Sequence, residues 1–448
     1  MREIEFSADA LIDALLATSE QQCVCLLDSC GVSHLGSHLL IAGVAPIETF
    51  QIMSENPADT LRFLDEKLSL TDAACIFTMS YEFGLKLENI EPRPKEFAAF
   101  DEPDVFLAQF DCLIIHDYDR KKTFLVGSEN KFDEIETLLA AKSVNLVKPK
   151  KLKKSRITSN FTRESYVATI EKIKESIRCG DTYQTNLTRQ IRAELGENLT
   201  AQEIFRHLRA AHPAPFAAFI KRRADFVVSI SPERFFKVRS QQTAVGSRTI
   251  STSPIKGTRP RAKNEAEDLR LKNELLESEK DRAENVMIVD LLRNDIGRIC
   301  KFGSVRVEKL CDLETHPTLF HLVSTIKGEL RDEVKFSEII RAVFPCGSIT
   351  GAPKISTMRI INDLETAPRA LSMGAIGYSL MENGEWKTEN KIDVSVAIRT
   401  MVVRGREAIF NVGGGVVIDS DAREEYEETS TKARALLAAF GVEKKDKG

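Results

Sequence analysis

Val394-Ser395-Val396-Ala397-Ile398-Arg399-Thr400-Met401-Val402-Val403 is followed, after Arg404 to Glu407, by Ala408-Ile409-Phe410-Asn411-Val412-Gly413-Gly414-Gly415-Val416. Both runs are rich in β-branched residues, which suits strands, and no helical stretch separates them. A third such run, Ala375 to Leu380, lies upstream. Further apolar runs, Val24 to Leu27 and Leu113 to Ile115, sit among helical-looking stretches in the first part of the chain. Helices and strands do not alternate as regular βαβ units. The expectation is therefore an α+β protein with antiparallel sheets and helices outside them, not a doubly wound fold.

Helix signals frame the strands. Thr162 can cap a helix whose apolar positions are Tyr166, Val167, Ile170, Ile173 and Ile177, and Gly180 stands where a C-terminal glycine cap belongs. A charged, leucine-bearing stretch follows at about 263–297. A final helix begins near Asp421, where Asp421 and Glu424 have capping-box spacing. The strongest break in composition is Lys148 to Arg156, which lacks interleaved aromatics and so reads as a solvated linker, not a nucleic-acid patch. It divides the chain into an N-terminal region, 1–150, a basic linker, 151–160, and a larger region, 161–442.

Composition excludes several classes. Of 448 residues 42% are hydrophobic, enough for a large core, and 63 basic against 67 acidic residues give a net charge of −4. That balance argues against a nucleic-acid binder. Nine scattered cysteines without C-x-x-C spacing fit reduced thiols, not a zinc site or a disulfide framework. No apolar run is long enough to span a bilayer, and the charged start, Met1-Arg2-Glu3-Ile4-Glu5, lacks an apolar signal core. A soluble cytoplasmic protein with no membrane partner is expected.

Five local patterns carry chemistry. Glu284 shares a predicted helix, Asp281 to Ile296, with Met287, Ile288 and Leu291 at i+3, i+4 and i+7, where an unpaired charge is costly. The plain alternative is a solvated group at the edge of the stripe. Glu425, Glu428 and Lys432 share a face of the last helix. Like charges at i, i+3 repel unless neutralised, and hard carboxylates without His or Cys suit magnesium. By composition alone, a solvated acidic patch is the better reading of Glu424 to Glu428. Gly413-Gly414-Gly415 and the Ser348 to Lys354 loop could bring backbone N–H groups close to an anion, although either could be an ordinary turn. There is no G-x-x-x-x-G-K-[ST] P-loop. Lys256, in Pro254-Ile255-Lys256-Gly257-Thr258, becomes a nucleophile if desolvated; a turn lysine is the ordinary reading.

Taken together and in order, these stretches resemble the chorismate-utilising enzymes, which include anthranilate, aminodeoxychorismate, isochorismate and salicylate synthases. The resemblance spans about 160 to 440. It rests on Gly180 to Leu187, Ser231-Pro232-Glu233-Arg234-Phe235, Asp281 to Asn285, Leu322 to Thr325, Gly347 to Lys354, Ile398-Arg399-Thr400, the three glycines, and Glu425 to Lys432. It implies two large antiparallel sheets packed as a sandwich with helices on the outside. Water-adding members are similar in carrying a lysine base where this chain has Gln184. Anthranilate synthases have alanine in the segment where Lys256 matches the nucleophile of aminodeoxychorismate synthase component I. Leu26-Leu27-Asp28-Ser29 resembles the tryptophan-holding segment of feedback-regulated relatives, and Tyr81-Glu82-Phe83-Gly84 a further family motif. The chain departs from the family in a longer spacing between Glu233 and Lys256, read as a hairpin insertion, and in Cys346, where glycine is frequent.

The resemblance implies roles. Magnesium would be held by Glu284, Glu425 and Glu428. Substrate would be bound by Gln184, Thr350, Tyr378, Arg399, Gly413, Gly414, Gly415 and Lys432. Glu233 would be the general acid, His321 would lie beside the departing oxygen, and Lys256 would attack C2. Substrates would be chorismate and ammonia, the ammonia coming from a glutamine amidotransferase subunit because no glutaminase signature is evident. A separate aminodeoxychorismate lyase would act downstream. Anthranilate synthase component I is the nearest alternative. A non-catalytic regulatory subunit is a more distant one, disfavoured because the whole residue set is present.

Overall fold

A computed structural model of the chain describes residues 1–32, 38–69, 73–97, 100–143, 155–240, 247–315, 319–380 and 390–441. Among these residues two antiparallel sheets, of twelve and ten strands, account for every strand. From one edge the larger sheet runs Arg2–Ile4, Lys122–Gly127, Cys112–Asp117, Leu39–Val44, Val24–Asp28, Phe216–Lys221, Phe226–Ser231, Thr400–Arg404, Glu407–Val416, Gln184–Glu194 and Gly351–Ala352. Arg156–Ser159 also pairs with Gln184–Glu194. The smaller runs Ile255–Pro260, Leu319–Glu329, Arg248–Thr252, Arg234–Ser240, Asn390–Val396, Ala375–Ser379, Ala74–Met79, Val105–Phe110 and Glu48–Ile52, with Arg306–Thr315 also on Leu319–Glu329. Strands from both sides of the basic stretch pair directly in each sheet, as Leu26 does with Phe219 and Phe77 with Gly377.

The sandwich follows from the two-residue period of strand side chains. In Ala74–Met79, Ala74 and Ile76 pack in the layer between the sheets, whereas Cys75, Phe77 and Met79 pack under the helices of the smaller sheet. In Leu39–Val44, Leu39 and Ile41 face the same central layer, and Leu40, Ala42 and Val44 face the helices on the larger sheet. Both faces of each sheet are therefore covered, and many central strands are buried throughout.

The helix signals hold, with two refinements. Thr162 caps Arg163–Arg178 by accepting from the Ser165 N–H, and Gly180 follows the helix at φ +82°. Asp421 caps Ala422–Ala438. The charged stretch forms two helices, Glu265–Glu277 and Glu279–Gly297. Ser278 breaks it, ending the first and capping the second through the Asp281 N–H. The run Val394 to Val403, read as one strand, is two. Asn390–Val396 belongs to the smaller sheet and Thr400–Arg404 to the larger. The chain crosses between the sheets at Ala397 to Arg399, where Arg399 has φ +48°.

A second crossing lies beside the first. Phe226–Ser231 is in the larger sheet and Arg234–Ser240 in the smaller, so Pro232 and Glu233 span the gap. The crossings are laced together: the Ile230 N–H donates to the Arg399 carbonyl and the Val396 N–H to the Glu233 carbonyl, both at 3.1 Å. The Ser231 hydroxyl donates to the Val396 carbonyl at 2.6 Å. Glu233 and Arg399, 166 positions apart in the chain, thereby lie on one seam.

Candidate active site

The seam fixes Glu233. It is 6% exposed, and its Oε1 has no hydrogen-bond partner among the described residues. Burial pushes its carboxyl up. Hydrogen bonds from Ser348 and the Ile255 N–H, and the nearby charges of Lys256 and Lys432, only partly offset that. A carboxyl so placed keeps its proton to higher pH, as a general acid must. Arg399 is partly buried and no carboxylate offsets its desolvation among the described residues. Such a guanidinium is prepared for an anion.

Lys256 lies on Ile255–Pro260, which pairs with Leu319–Glu329 so that Thr258 stands opposite His321. The Thr258 hydroxyl and His321 Nδ1 are 2.9 Å apart. Gly257, at φ +81°, has no room for a side chain: a Cβ would lie 2.9 Å from Leu275 and 3.0 Å from Asp281. Lys256 is partly buried, and its charge favours the ionised forms of Glu233, Glu284 and Glu428 alike. The segment before it pairs as a hairpin: Arg234–Ser240 lies against Arg248–Thr252, with 241–246 outside the described residues, and Lys256 stays in the sheet.

Three carboxylates gather from two helices. Glu284 is at the edge of its helix's buried stripe, which is Asn285, Ile288, Val289, Leu292, Asp295 and Ile296, one residue round from the face expected from sequence. Burial raises Glu284, with Asp281 and Glu428 adding to the effect against Lys256 and Lys280. Glu425 is 4% exposed; burial raises it, opposed by a 2.7 Å hydrogen bond from the Ser420 hydroxyl and reinforced by Glu428. Burial acts upward on Glu428 too, but Lys432, 2.6 Å away, outweighs it and holds Glu428 below its ordinary value. Lys432 also donates to the Gly413 carbonyl at 2.9 Å.

The glycines are required by closeness. A Cβ on Gly413 would lie 2.3 Å from the Leu187 carbonyl oxygen, on Gly414 3.0 Å from Glu425 Oε2, and on Gly415 2.2 Å from Gln184 Nε2. Gln184 is 2% exposed, and neither atom of its amide has a partner among the described residues. The carboxylates thus close on the glycine strand at Gly414 and the Gln184 amide at Gly415.

The donor set suits a hard dication: it is all oxygen, it grades from buried Glu425 through half-buried Glu284 to exposed Glu428, and two members are raised by burial and by like charge. As they stand, the carboxylates turn to lysines and Ser420, and no three His, Cys, Asp or Glu side chains among the described residues converge as a metal cluster.

Two expected residues are elsewhere. Tyr378 and Ile376 face the central layer, where Tyr378 lines a cavity with Leu27, Asp28, Ser29, Phe216 and Asp393; no other candidate residue lines it. Strand alternation sends Tyr378 away from the helix-covered face. Thr350 is fully buried and donates to the carbonyls of Cys346 and Gly347, its own short helix. The hydroxyl that reaches Glu233 is that of Ser348. Lys354, in the same loop, is tied to Asp295 at 2.6 Å and braces the loop on the Glu279–Gly297 helix. Ser348, Ser420 and Lys280 were not selected from sequence. Lys280 had a signal, since it is four residues before Glu284 on one helix face. Cys346 is inert: burial pushes its thiol up to about 12.

Comparison with known proteins gives the family. A family model described as chorismate binding enzyme matches residues 22–438. The chain is 34% identical to aminodeoxychorismate synthase component 1 of Bacillus subtilis, covering 82% of this chain and 77% of that protein. It is 35% identical to anthranilate synthase component 1 of Aquifex aeolicus, over 76% and 69%. The crystal structure of anthranilate synthase component I from Streptococcus pneumoniae superposes with a TM-score of 0.75 at 26% identity, covering 91% of this chain and 93% of that one. No helix among the described residues is long and apolar enough to cross a membrane. With a match over nearly its whole length, and an acid, a lysine and three carboxylates gathered around a glycine strand, the chain belongs to the chorismate binding enzyme family and is a chorismate-utilising enzyme.

Proposed function

We propose that the chain is the chorismate-aminating component of an aminodeoxychorismate synthase, taking ammonia from a glutamine amidotransferase subunit and leaving pyruvate elimination to a separate lyase. The observation that carries this reading is the position of Lys256, whose charge acts directly on Glu233 and Glu284. Lysine here and Gln184 in place of a lysine base favour amination at C4. The neutral Lys256 amine attacks C2, both ring double bonds shift along the conjugated diene, and the 4-hydroxyl leaves as water with the proton of Glu233. Ammonia then adds at C4 and the lysine leaves from C2, giving 4-amino-4-deoxychorismate. Arg399, Gln184, Lys432 and the glycine strand hold the substrate's anionic groups. Glu284, Glu425 and Glu428 would hold magnesium, which supplies an electrophilic anchor for a substrate carboxylate.

The test is product identification by mass after incubation with chorismate, magnesium and ammonium. Aminodeoxychorismate is expected, together with a Lys256 adduct when ammonia is withheld. Glutamine should be used only once an amidotransferase subunit is added. Anthranilate as the sole product, or undiminished aminodeoxychorismate from Lys256→Ala, would overturn the reading.

A further inference from the structure

Lys280 stands out from the other cations around the carboxylates. Three carboxylates, Glu284, Glu425 and Glu428, meet three ammonium groups, Lys256, Lys280 and Lys432. Lys432 is held at both ends of its reach, by Glu428 and by the Gly413 carbonyl. Lys256 is fixed in a sheet. Lys280 is different. Its side chain is 60% exposed, its Nζ is 4.0 Å from Glu425 Oε1, and its charge is felt by all three carboxylates.

Its position in the chain is also unfavourable on local grounds. Lys280 is in the first turn of Glu279–Gly297, where the helix dipole presents positive charge and disfavours a cation. The neighbouring carboxylates compensate for this. Four residues on, Glu284 shares its helix face, and across the gap Glu425 receives it from the C-terminal helix. A long, exposed stem lets the ammonium leave without moving either helix.

We infer that Lys280 is a tethered counter-cation that occupies the metal's electrostatic place in the unliganded enzyme and withdraws when a divalent cation binds. With Lys280 in place the three carboxylates and three lysines balance, so a dication added alone meets little net negative charge and must displace an ammonium. Lys280 is thus a positioning residue that weakens cation binding in the absence of the dianionic substrate. The inference rests on the proposal that Glu284, Glu425 and Glu428 bind the metal.

Mn2+ binding to the full chain, followed by the loss of the free-ion EPR signal, tests it without reference to turnover. Without chorismate, Lys280→Gln should bind Mn2+ about fivefold more tightly than the unaltered protein, the size of one half-exposed ion pair. Lys280→Glu should bind more tightly still. Lys172→Gln, an equal charge change at an exposed lysine of Arg163–Arg178, should not alter binding. Equal or weaker Mn2+ binding by Lys280→Gln would overturn the role of Lys280. Saturable binding by the unaltered protein that survives Glu425→Gln unchanged, or no binding with or without chorismate, would instead remove the metal assignment and Lys280's role with it.

Discussion

Two clusters of charge share the strand Gln184–Glu194, and they treat charge in opposite ways. Around Arg369, which is 2% exposed, the guanidinium meets both oxygens of Glu365, the Ile349 carbonyl and the Asn186 carbonyl, all within 2.9 Å. Its backbone N–H donates to Glu82, and its guanidinium lies 4.5 Å above the Tyr81 ring. Glu365 also accepts the Thr188 N–H. Around Glu233, by contrast, one carboxylate oxygen and the whole Gln184 amide lack protein partners among the described residues, and in the carboxylate group nearby Lys280 approaches Glu425 only to 4.0 Å. The first cluster fastens the helix carrying Ser348 to the strand carrying Gln184. The second keeps hydrogen-bonding capacity for a ligand. Burying a charge is costly in both, but only the first is compensated within the chain.

The largest effects should cross over between the clusters. Glu233→Gln should lower kcat by about a thousandfold while leaving the melting temperature unchanged or higher, because the buried charge is gone. Arg369→Leu should do the reverse in kind, destabilising by about 3–5 kcal/mol by leaving Glu365 buried and unpaired. Denaturant unfolding alongside steady-state kinetics measures both. A stability loss in Glu233→Gln as large as that in Arg369→Leu would erase the distinction.

An intermediate effect tests the weak point of the structural cluster. Burial pushes Glu82 up to about 7 from 4.5, and its Oε2 lacks a partner among the described residues. Between these values the folded protein keeps a proton that the unfolded chain has lost. Stability should therefore be greatest at the acid end of this window and fall as pH rises through about 7, by about 3 kcal/mol for this group. Glu82→Gln should flatten that fall, gaining on the unaltered protein at pH 8 and not at pH 4.5. Parallel stability curves would mean that Glu82 ionises normally.

The smallest effect belongs to the glycine strand. In Gly415→Ala the new methyl must displace the Gln184 amide, the free end of a side chain, so the fold should tolerate it within about 1–3 kcal/mol. The KM for chorismate should rise while the melting temperature moves little. An unchanged KM would detach Gln184 from substrate binding.

Local patterns made much of this legible. Helix starts at Thr162 and Asp421, antiparallel sheets and the family motifs follow from short-range rules of capping, turn and strand chemistry, which act within a few residues. The motifs also carried Glu233, Lys256 and the three carboxylates. The sequence by itself therefore determined the fold class, the family and most of the chemical groups.

Tertiary structure decided which groups meet. Val394 to Val403 reads as one strand because β-branched residues suit either sheet; only hydrogen bonding with Ile230 and Glu233 makes it cross, placing Arg399 on the same seam as Glu233. Tyr378 matched no local rule that says which face it takes, and the two-residue strand period sent it to the central layer. Thr350 and Ser348 are equivalent in composition, yet one hydroxyl closes on its own helix and the other meets Glu233. Each outcome depends on contacts between residues distant in sequence, and burial and the resulting electric field, not residue type, decide whether a carboxylate fastens the core or waits for a ligand.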